Sequence, residues 1–182
     1  MDGTLLDLNF DYYFWHEYLP ENWAKQNNMD VQKAKVKLLN MYKQEMGKLS
    51  WYCLDFWSKK LNFDVLQLKK ELIHLIKYRP HAKSFLEQLK NSNLSVTMVT
   101  NAHEKLIKMK VDVTRIDVFF NQIISSHSIG HAKEEISFWE ELKNKITFDI
   151  NKTLFIDDNL SVLRSAKKFG IKHLLSIAKP NS

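Results

Sequence analysis

The chain has 182 residues, of which 45% are hydrophobic and 26% charged, and this predicts one globular domain or one domain with a small appendage. No run of about 18 apolar residues occurs, so no membrane span is predicted, and the acidic beginning MDGTLLDLNF does not resemble an export signal. The single cysteine, Cys53, cannot form an internal disulfide, and we therefore expect a reducing, cytoplasmic location.

The formal net charge of +6 raises the question of nucleic-acid binding. Only three of the 27 basic residues are arginine, the residue best suited to reading bases and to bidentate phosphate contacts. The lysines are spread along predicted helices, as solvated helix faces are, and we expect no nucleic-acid partner. The four glycines are too few and too scattered for a Gly-rich phosphate loop.

Residues 10–78 show helical patterns and no convincing strand. Helices are predicted at 30–46, at 50–61 and at 64–78. Asp30 stands at the N-cap position of the first of these and Gly47 just after its end. Pro20 is expected to break the chain after the first aromatic segment. These patterns predict a small all-helical domain.

From Pro80 onward, predicted strands alternate with predicted helices. The strands are expected at 95–100, 122–126, 153–157 and 172–177. The helices are expected at 80–93, with Pro80 in the first turn, and at 103–111, 134–146 and 161–170. Such alternation is typical of βαβ units. The predicted fold class is therefore α/β, a Rossmann-like parallel sheet with an all-helical insertion near its N-terminus.

Side chains suited to catalysis follow the ends of these strands or stand at the start of the chain. They are Asp2, Thr100, Asn101, Lys133, Asp157 and Asp158. Because ligands of parallel sheets bind at the carboxyl ends of strands, we expect these side chains to converge. Adjacent carboxylates repel each other unless a hard cation such as Mg²⁺ lies between them, and Mg²⁺ also binds substrate phosphates. A lysine and a hydroxyl suit the phosphoryl oxygens, so the set predicts phosphoryl chemistry.

The order D-G-T-L-L-D, V-T-N, G-H-A-K-E and L-F-I-D-D resembles the four motifs of the haloacid dehalogenase-like (HAD) hydrolases over essentially the whole chain. The helical segment after DGTLLD is similar to the C1 cap of subfamily I. The stretches FDYYFWHEYLPENWA, WYCLDFWSKKL and VTNAH are most similar to the purine 5′-nucleotidase (GMP/IMP) branch. The resemblance implies a remnant of the first motif at 1–9, a cap at 10–78 and an α/β core at 79–182.

The resemblance also implies a role for each matching residue. Asp2 corresponds to the general acid/base, whose backbone carbonyl ligates Mg²⁺. The implied catalytic residues are Asp2, Thr100 and Lys133. The implied phosphate-binding residues are Thr100, Asn101 and Lys133. The implied Mg²⁺ ligands are Asp2, Asp157 and Asp158.

The activity implied is Mg²⁺-dependent hydrolysis of a small phosphate ester, a purine nucleoside 5′-monophosphate in this branch. Two alternatives stay open, which are a phosphatase for another substrate such as a sugar phosphate and an inactive relative that only binds ligand. The sequence does not indicate an oligomeric state.

The family's first motif is hhhhD-x-D-G-T, so the resemblance places the aspartate nucleophile directly before Met1, where the sequence has no residue. We expect either that the natural protein begins upstream, with Asp before Met1, or that the chain is a truncated relative. The apolar strand that precedes the nucleophile is expected to be missing too. Because that strand lies in the middle of the family's sheet, its loss should leave neighbouring strands without partners.

Residues 10–57 hold 12 of the chain's 22 aromatic residues, and we expect most of them to form the core of the helical domain. The candidates for stacking on a purine base are Phe14, Trp15, Trp51 and Tyr52. Cys53 is expected inside a helix. The histidines near the second and third motifs, His103, His127 and His131, show no metal-ligand spacing, so the sequence predicts no second metal site.

Overall fold

The computed structural model describes residues 1–181, and helices occupy most of the first 75 residues. These helices are α1 (Asn9–Tyr13), α2 (Leu19–Gln26), α3 (Val31–Glu45), α4 (Leu54–Leu61) and α5 (Val65–Lys70). Short 3₁₀ turns lie at Leu49–Tyr52 and Ile73–Leu75. Within residues 1–181, no helix is long and apolar enough to cross a membrane.

Helix α3 begins and ends where the sequence predicts. The Asp30 carboxylate accepts hydrogen bonds from the backbone N–H groups of Gln32 and Lys33, which would otherwise lack partners at the helix start. Gly47 follows the helix with a φ of +83°, a left-handed conformation that favours glycine. Local capping therefore fixes both ends of α3.

The predicted break at Pro20 is wrong, because the chain stays helical from Asn9 to Gln26. One wide π-helical turn, Phe14–Tyr18, joins α1 to α2, and Pro20 lies in the first turn of α2. Proline is tolerated in a first helical turn, where its missing N–H is least needed.

Cys53 lies between two helical segments rather than inside one, which corrects the prediction of a helix over 50–61. The turn Leu49–Tyr52 ends at Cys53, whose backbone is extended (φ −86°, ψ 111°). Its Sγ accepts a hydrogen bond from the backbone N–H of Phe56 at 3.4 Å, so the cysteine caps the start of α4. Helix α5 is likewise shorter than predicted.

From residue 80 the structure alternates helices with strands, which confirms the α/β fold class. The strands are β1 (Thr97–Thr100), β2 (Gln122–Ser125), β3 (Leu154–Asp157) and β4 (His173–Ser176). The helices are α6 (Ala82–Lys90), α7 (Glu104–Thr114), α8 (Ser126–Ile129), α9 (Ile136–Lys145) and α10 (Leu160–Phe169). A 3₁₀ turn lies at Ile116–Phe119. Contrary to prediction, Pro80 precedes α6, because His81 takes a left-handed conformation (φ +63°) and the helix begins after it.

The strands form two parallel pairs, and within residues 1–181 no backbone ladder joins the pairs. β1 pairs with β2, which sets Thr100 opposite Ser125, and β3 pairs with β4, which sets Asp157 opposite Ser176. The carboxyl ends of β1 and β3 carry four of the predicted site residues, Thr100, Asn101, Asp157 and Asp158. Lys133 lies in the loop between α8 and α9, and Asp2 lies near the start of the chain.

One apolar cluster runs from the helical part into the α/β part. Its buried members include Phe10, Leu38 and Trp57 from the helical part and Met98 and Leu106 from β1 and α7. A second cluster contains Ile124, Phe138, Trp139, Val162 and Ala166. The shared cluster holds the helical segment against the end of β1. The domain boundaries at 1–9, 10–78 and 79–182 stay a prediction.

Candidate active site

All six predicted site residues line one cleft between the helical segment and the strand ends. The cleft has a volume of about 350 Å³. On the α/β side it is lined by Asp2, Thr100, Asn101, Lys133, Asp157 and Asp158. On the helical side it is lined by Asp11, Tyr12, Trp15, His16, Trp51, Tyr52 and Lys69. The structure thus brings together residues from the beginning, the middle and the last third of the sequence.

Lys133 and Asp157 form a buried ion pair at the floor of the cleft, with 2.6 Å between Lys133 Nζ and Asp157 Oδ2. The other carboxylate oxygen of Asp157 accepts a hydrogen bond from the backbone N–H of Asn159 at 2.9 Å. Burial alone would raise the pKa of Asp157, but the Lys133 ammonium and these hydrogen bonds hold it below its ordinary value. Asp157 is therefore an anion at neutral pH.

Asp158 has the opposite electrostatic setting. Burial and the adjacent Asp157 carboxylate raise the pKa of Asp158. The Thr4 hydroxyl donates a hydrogen bond to Asp158 Oδ1 at 3.2 Å, and among the described residues no lysine or arginine forms an ion pair with this carboxylate. Two adjacent carboxylates, of which only Asp157 is paired with a lysine, are a donor set that a hard cation such as Mg²⁺ fits.

Gly3 is the residue that leaves room for Asp158. A Cβ atom added to Gly3 would lie 2.3 Å from Asp158 Oδ2, which is far inside van der Waals contact. The φ of Gly3 is +71°, a conformation that side chains other than glycine's adopt at a cost. The D-G-T motif therefore places a residue without a side chain against the acidic pair.

Asn101 organises the loop that carries Lys133. Its side-chain oxygen accepts the backbone N–H of Lys133 at 2.9 Å, and its amide nitrogen donates to Glu134 Oε2 at 2.8 Å. Thr100, 4% exposed, accepts the backbone N–H of Ala102 on its hydroxyl oxygen at 3.1 Å. A hydroxyl that accepts one hydrogen bond can still donate its proton, as phosphate binding requires.

The side chain of Asp2 belongs to a buried network that the sequence did not predict. Lys110 Nζ lies 2.5 Å from Asp2 Oδ1 and 2.5 Å from Asp11 Oδ2, and Lys69 Nζ lies 2.7 Å from Asp11 Oδ1. Burial alone would lower the pKa of Lys110, but Asp11 and Asp2 raise it, whereas burial lowers the pKa of Lys69. The signal for Lys110 was its position four residues after Leu106, on the apolar face of a helix.

The helical segment is attached to the α/β part by polar contacts around Tyr52 and Asp55. The Tyr52 hydroxyl donates to Glu134 Oε1 at 2.5 Å, and Asp55 pairs with Lys105 at 2.6 Å. Burial and the Glu134 carboxylate raise the pKa of Tyr52, so its hydroxyl keeps its proton. Glu134 also accepts the Asn159 amide at 3.3 Å and so connects the helical segment with the acidic loop.

Aromatic rings form the wall of the cleft opposite the acids. Trp15 and Trp51 are half-buried and stacked, with 5.9 Å between ring centroids, and Tyr52 follows directly. Phe14 is fully buried in the apolar core and does not line the cleft, so it is the one predicted stacking candidate that the structure places elsewhere.

Met1 lies within the same site. It is 6% exposed, and its amino group interacts electrostatically with Lys133, Asp157 and Asp158. Burial and the Lys133 ammonium lower the pKa of this amino group. The Met1 nitrogen therefore lies among the charged groups of the cleft.

Comparison with known proteins agrees with this geometry. The chain matches the family described as "Haloacid dehalogenase-like hydrolase" over residues 1–176. It is 36% identical over 182 residues to the GMP/IMP nucleotidase YrfG of Escherichia coli K12, covering 100% of this chain and 82% of that protein.

Two solved structures share the fold. The HAD phosphatase from Thermococcus onnurineus has a TM-score of 0.81 at 16% identity, covering 97% of this chain and 90% of that one. The HAD-hydrolase YfnB from Bacillus subtilis, bound to magnesium, has a TM-score of 0.67 at 18% identity, covering 98% and 92%. The four motifs at the strand ends, the family match and the shared fold lead to one conclusion: this chain belongs to the haloacid dehalogenase-like hydrolases.

Proposed function

We propose that this protein is a Mg²⁺-dependent phosphomonoesterase that hydrolyses purine nucleoside 5′-monophosphates. The observation that carries the proposal is the single cleft, which has a lysine, a hydroxyl and paired acids on one wall and two stacked tryptophans on the other. The 36% identity to a GMP/IMP nucleotidase over the full chain supports the same substrate class.

The phosphate would bind at the strand ends. Lys133 supplies a fixed positive charge, and Thr100 supplies a hydroxyl donor, both held in place by buried hydrogen bonds. Asn101 holds the backbone of Lys133, so the ammonium is already positioned before substrate binds. Fixed donors of this kind stabilise charge that develops on phosphoryl oxygens during transfer.

Asp157 and Asp158 would hold the Mg²⁺ ion, together with the backbone carbonyl of Asp2. A bound Mg²⁺ neutralises phosphate charge and orients the phosphoryl group for displacement. The fit rests on the adjacent carboxylates, since burial and then the neighbouring Asp157 raise the pKa of Asp158, and a bound cation would favour its charged form. Gly3 keeps the space beside this carboxylate open.

Asp2 would act as the general acid/base. It would protonate the leaving nucleoside oxygen and then activate water, and Lys110 fixes its carboxylate at 2.5 Å. The nucleophile of the family corresponds to an aspartate directly before Met1, which would form an aspartyl-phosphate.

The purine would lie against the aromatic wall. Trp15, Trp51 and Tyr52 offer flat, half-buried rings, and stacking of a base on an aromatic ring is worth about 1–3 kcal/mol. The helical segment above the strand ends would act as a cap that excludes bulk water. We therefore propose that the substrate is a small phosphate ester, that the protein works in the reducing cytoplasm and that nucleic acid is not a partner.

The test measures phosphate release by an extended form, which is this chain preceded by an apolar strand of about six residues that ends in Asp. GMP, IMP and a sugar phosphate such as ribose 5-phosphate are compared with and without Mg²⁺. We expect Mg²⁺-dependent release with a preference for GMP and IMP. Equal rates on the sugar phosphate would overturn the purine assignment, and Mg²⁺-dependent nucleotide binding without release would show a binding protein instead.

A further inference from the structure

Three residues that are distant in sequence meet beside the cleft. The side-chain ligand atoms of Cys53, His103 and His127 all lie within 4.8 Å of one another. Cys53 caps the start of α4, His103 caps the start of α7, and His127 lies in α8 just after β2. The sequence predicts no second metal site from the spacing of its histidines, but the fold brings two of them next to Cys53 in an arrangement that the spacing along the chain does not indicate.

The chemistry of this set differs from that of the acidic pair. A thiolate and two imidazoles are preferred ligands of Zn²⁺, whereas Mg²⁺ prefers oxygen. Around a tetrahedral Zn²⁺ with bonds of about 2.0–2.3 Å, ligand atoms lie about 3.3–3.6 Å apart. Side-chain adjustments of about 1 Å would bring the three atoms from their present separation to that geometry.

Each residue is in a suitable state. The Cys53 Sγ is held at the start of α4 by the hydrogen bond that it accepts from the backbone N–H of Phe56. Nε2 of His127 is buried and has no hydrogen-bond partner among the described residues. Nδ1 of His103 makes only a long 3.3 Å contact with the N–H of Lys105, which costs little to exchange for a metal bond.

The electrostatic surroundings favour neutral imidazoles. Burial lowers the pKa of His127, and the neighbouring His103 lowers it further. Burial likewise lowers the pKa of His103, although Asp55 opposes this shift. Neutral imidazole is the form that binds metal. The Asp55 carboxylate, 3.7 Å from Nε2 of His103, is placed to orient that ring, as carboxylates near metal-bound histidines commonly do.

We propose that Cys53, His103 and His127 bind one Zn²⁺ ion, which fastens the helical segment to the α/β part. None of the three is among the residues that line the cleft, so the ion would lie behind its wall and leave the phosphate site free. Tyr52, which lines the cleft, directly precedes Cys53 in the sequence. Asn101, which also lines the cleft, lies two residues before His103. The bound ion would therefore hold these two parts of the cleft wall in place.

The test titrates Co²⁺, the usual spectroscopic substitute for Zn²⁺, into the full chain with Mg²⁺ present. We expect a thiolate-to-cobalt absorption band that saturates at one ion per chain and that Zn²⁺ abolishes. Cys53→Ser and His103→Asn keep a side chain that can cap its helix, so both should fold, and each should lose the band or bind at least about tenfold more weakly.

Matched controls distinguish this site from others. His127→Gln should weaken binding like the other two, whereas His131→Gln and Asp158→Asn should leave the band unchanged. No thiolate band in the parent protein, or a band that survives Cys53→Ser, would overturn the site. These readouts do not depend on phosphatase activity, so a failed Zn²⁺ site and a failed proposed function are distinguishable.

Hydrogen exchange tests the fastening. Zn²⁺ should slow amide exchange over residues 49–61 at least severalfold in the parent protein and leave it unchanged in Cys53→Ser. Zn²⁺ that binds at one ion per chain without slowing this segment would overturn the fastening.

Discussion

Lys110 Nζ lies between two carboxylates, 2.5 Å from Asp2 Oδ1 and 2.5 Å from Asp11 Oδ2. It is 1% exposed, so both carboxylates depend on an ammonium that water cannot replace. Removing one partner of a buried pair costs about 3–5 kcal/mol, since the remaining charge stays buried.

We therefore expect Lys110→Met to lower the free energy of unfolding by about 3–5 kcal/mol in urea unfolding. Lys108→Met on the same helix is the matched control, because Lys108 is exposed and its pair with Asp112 is worth less than about 1 kcal/mol. Equal losses in the two variants would contradict the account of this network.

The ion pairs of Asp11 with Lys110 and Lys69 lead us to expect that the free energy of unfolding depends on pH. Burial alone would raise the pKa of Asp11, but Lys110 and Lys69 lower it below its ordinary value. The unfolded chain, with an aspartate pKa of about 3.9, then takes up its proton at a higher pH than the folded chain. The stabilisation is therefore complete above about pH 5 and is lost as the pH falls below that.

In Asp11→Asn we expect the free energy of unfolding to fall less steeply between about pH 5 and pH 3 than in the parent protein, measured by urea unfolding. The exposed Asp112→Asn should keep the parent's slope. An unchanged slope in Asp11→Asn would show that this carboxylate is not held ionised by its partners.

The close approach of Gly3 to Asp158 leads us to expect that a side chain at Gly3 weakens binding at the proposed Mg²⁺ site. Gly3→Ala should displace the Asp158 carboxylate, because the new Cβ would lie 2.3 Å from its Oδ2. Calorimetric titration with Mg²⁺ should show at least about tenfold weaker binding. Gly47→Ala is the control, since Gly47 also has a positive φ (+83°) but nothing lies within 4 Å of its added Cβ. Equal Mg²⁺ affinity in both variants would contradict the role of Gly3.

The position of Trp51 in the wall of the cleft leads us to expect that it favours substrates that carry a base. In the extended form, Trp51→Ala should lower kcat/KM for GMP by about 5–100-fold, which corresponds to the loss of one stacked base. Activity on ribose 5-phosphate, which has no base, should change little, and this comparison within one variant separates stacking from general damage. Tyr13→Ala, outside the cleft, should leave both activities unchanged. A parallel loss on both substrates would remove Trp51 from base binding.

Local patterns predicted most of the elements, because their causes are local. The cap of α3 depends on Asp30 and its two neighbours, and each strand lay within a short apolar run. The predicted break at Pro20 was wrong because a π-helical turn precedes the proline and the chain stays helical through it. No residue pattern in the sequence indicates such a turn.

The site residues that belong to motifs could likewise be predicted from the sequence, whereas contacts between distant segments could not. The motifs predicted that Thr100, Lys133 and the acidic pair converge, and all of them line one cleft, although Lys133 lies in the loop after α8 rather than at a strand end. The meeting of Cys53 with His103 depends on how the helical segment packs on the α/β part, across 50 residues of sequence, so no spacing could reveal it.

We propose that the phosphoryl group is transferred to an aspartate directly before Met1, beside Lys133, Asp157 and Asp158. The most direct measurement compares Mg²⁺-dependent phosphate release from GMP by the extended form ending in Asp and by the same form ending in Asn, after a thermal melt shows that both fold. We expect the form ending in Asp to release phosphate, and the form ending in Asn to release it at least about 10³-fold more slowly. Equal rates for the two forms, or no release from any phosphate ester by the folded Asp form, would contradict it.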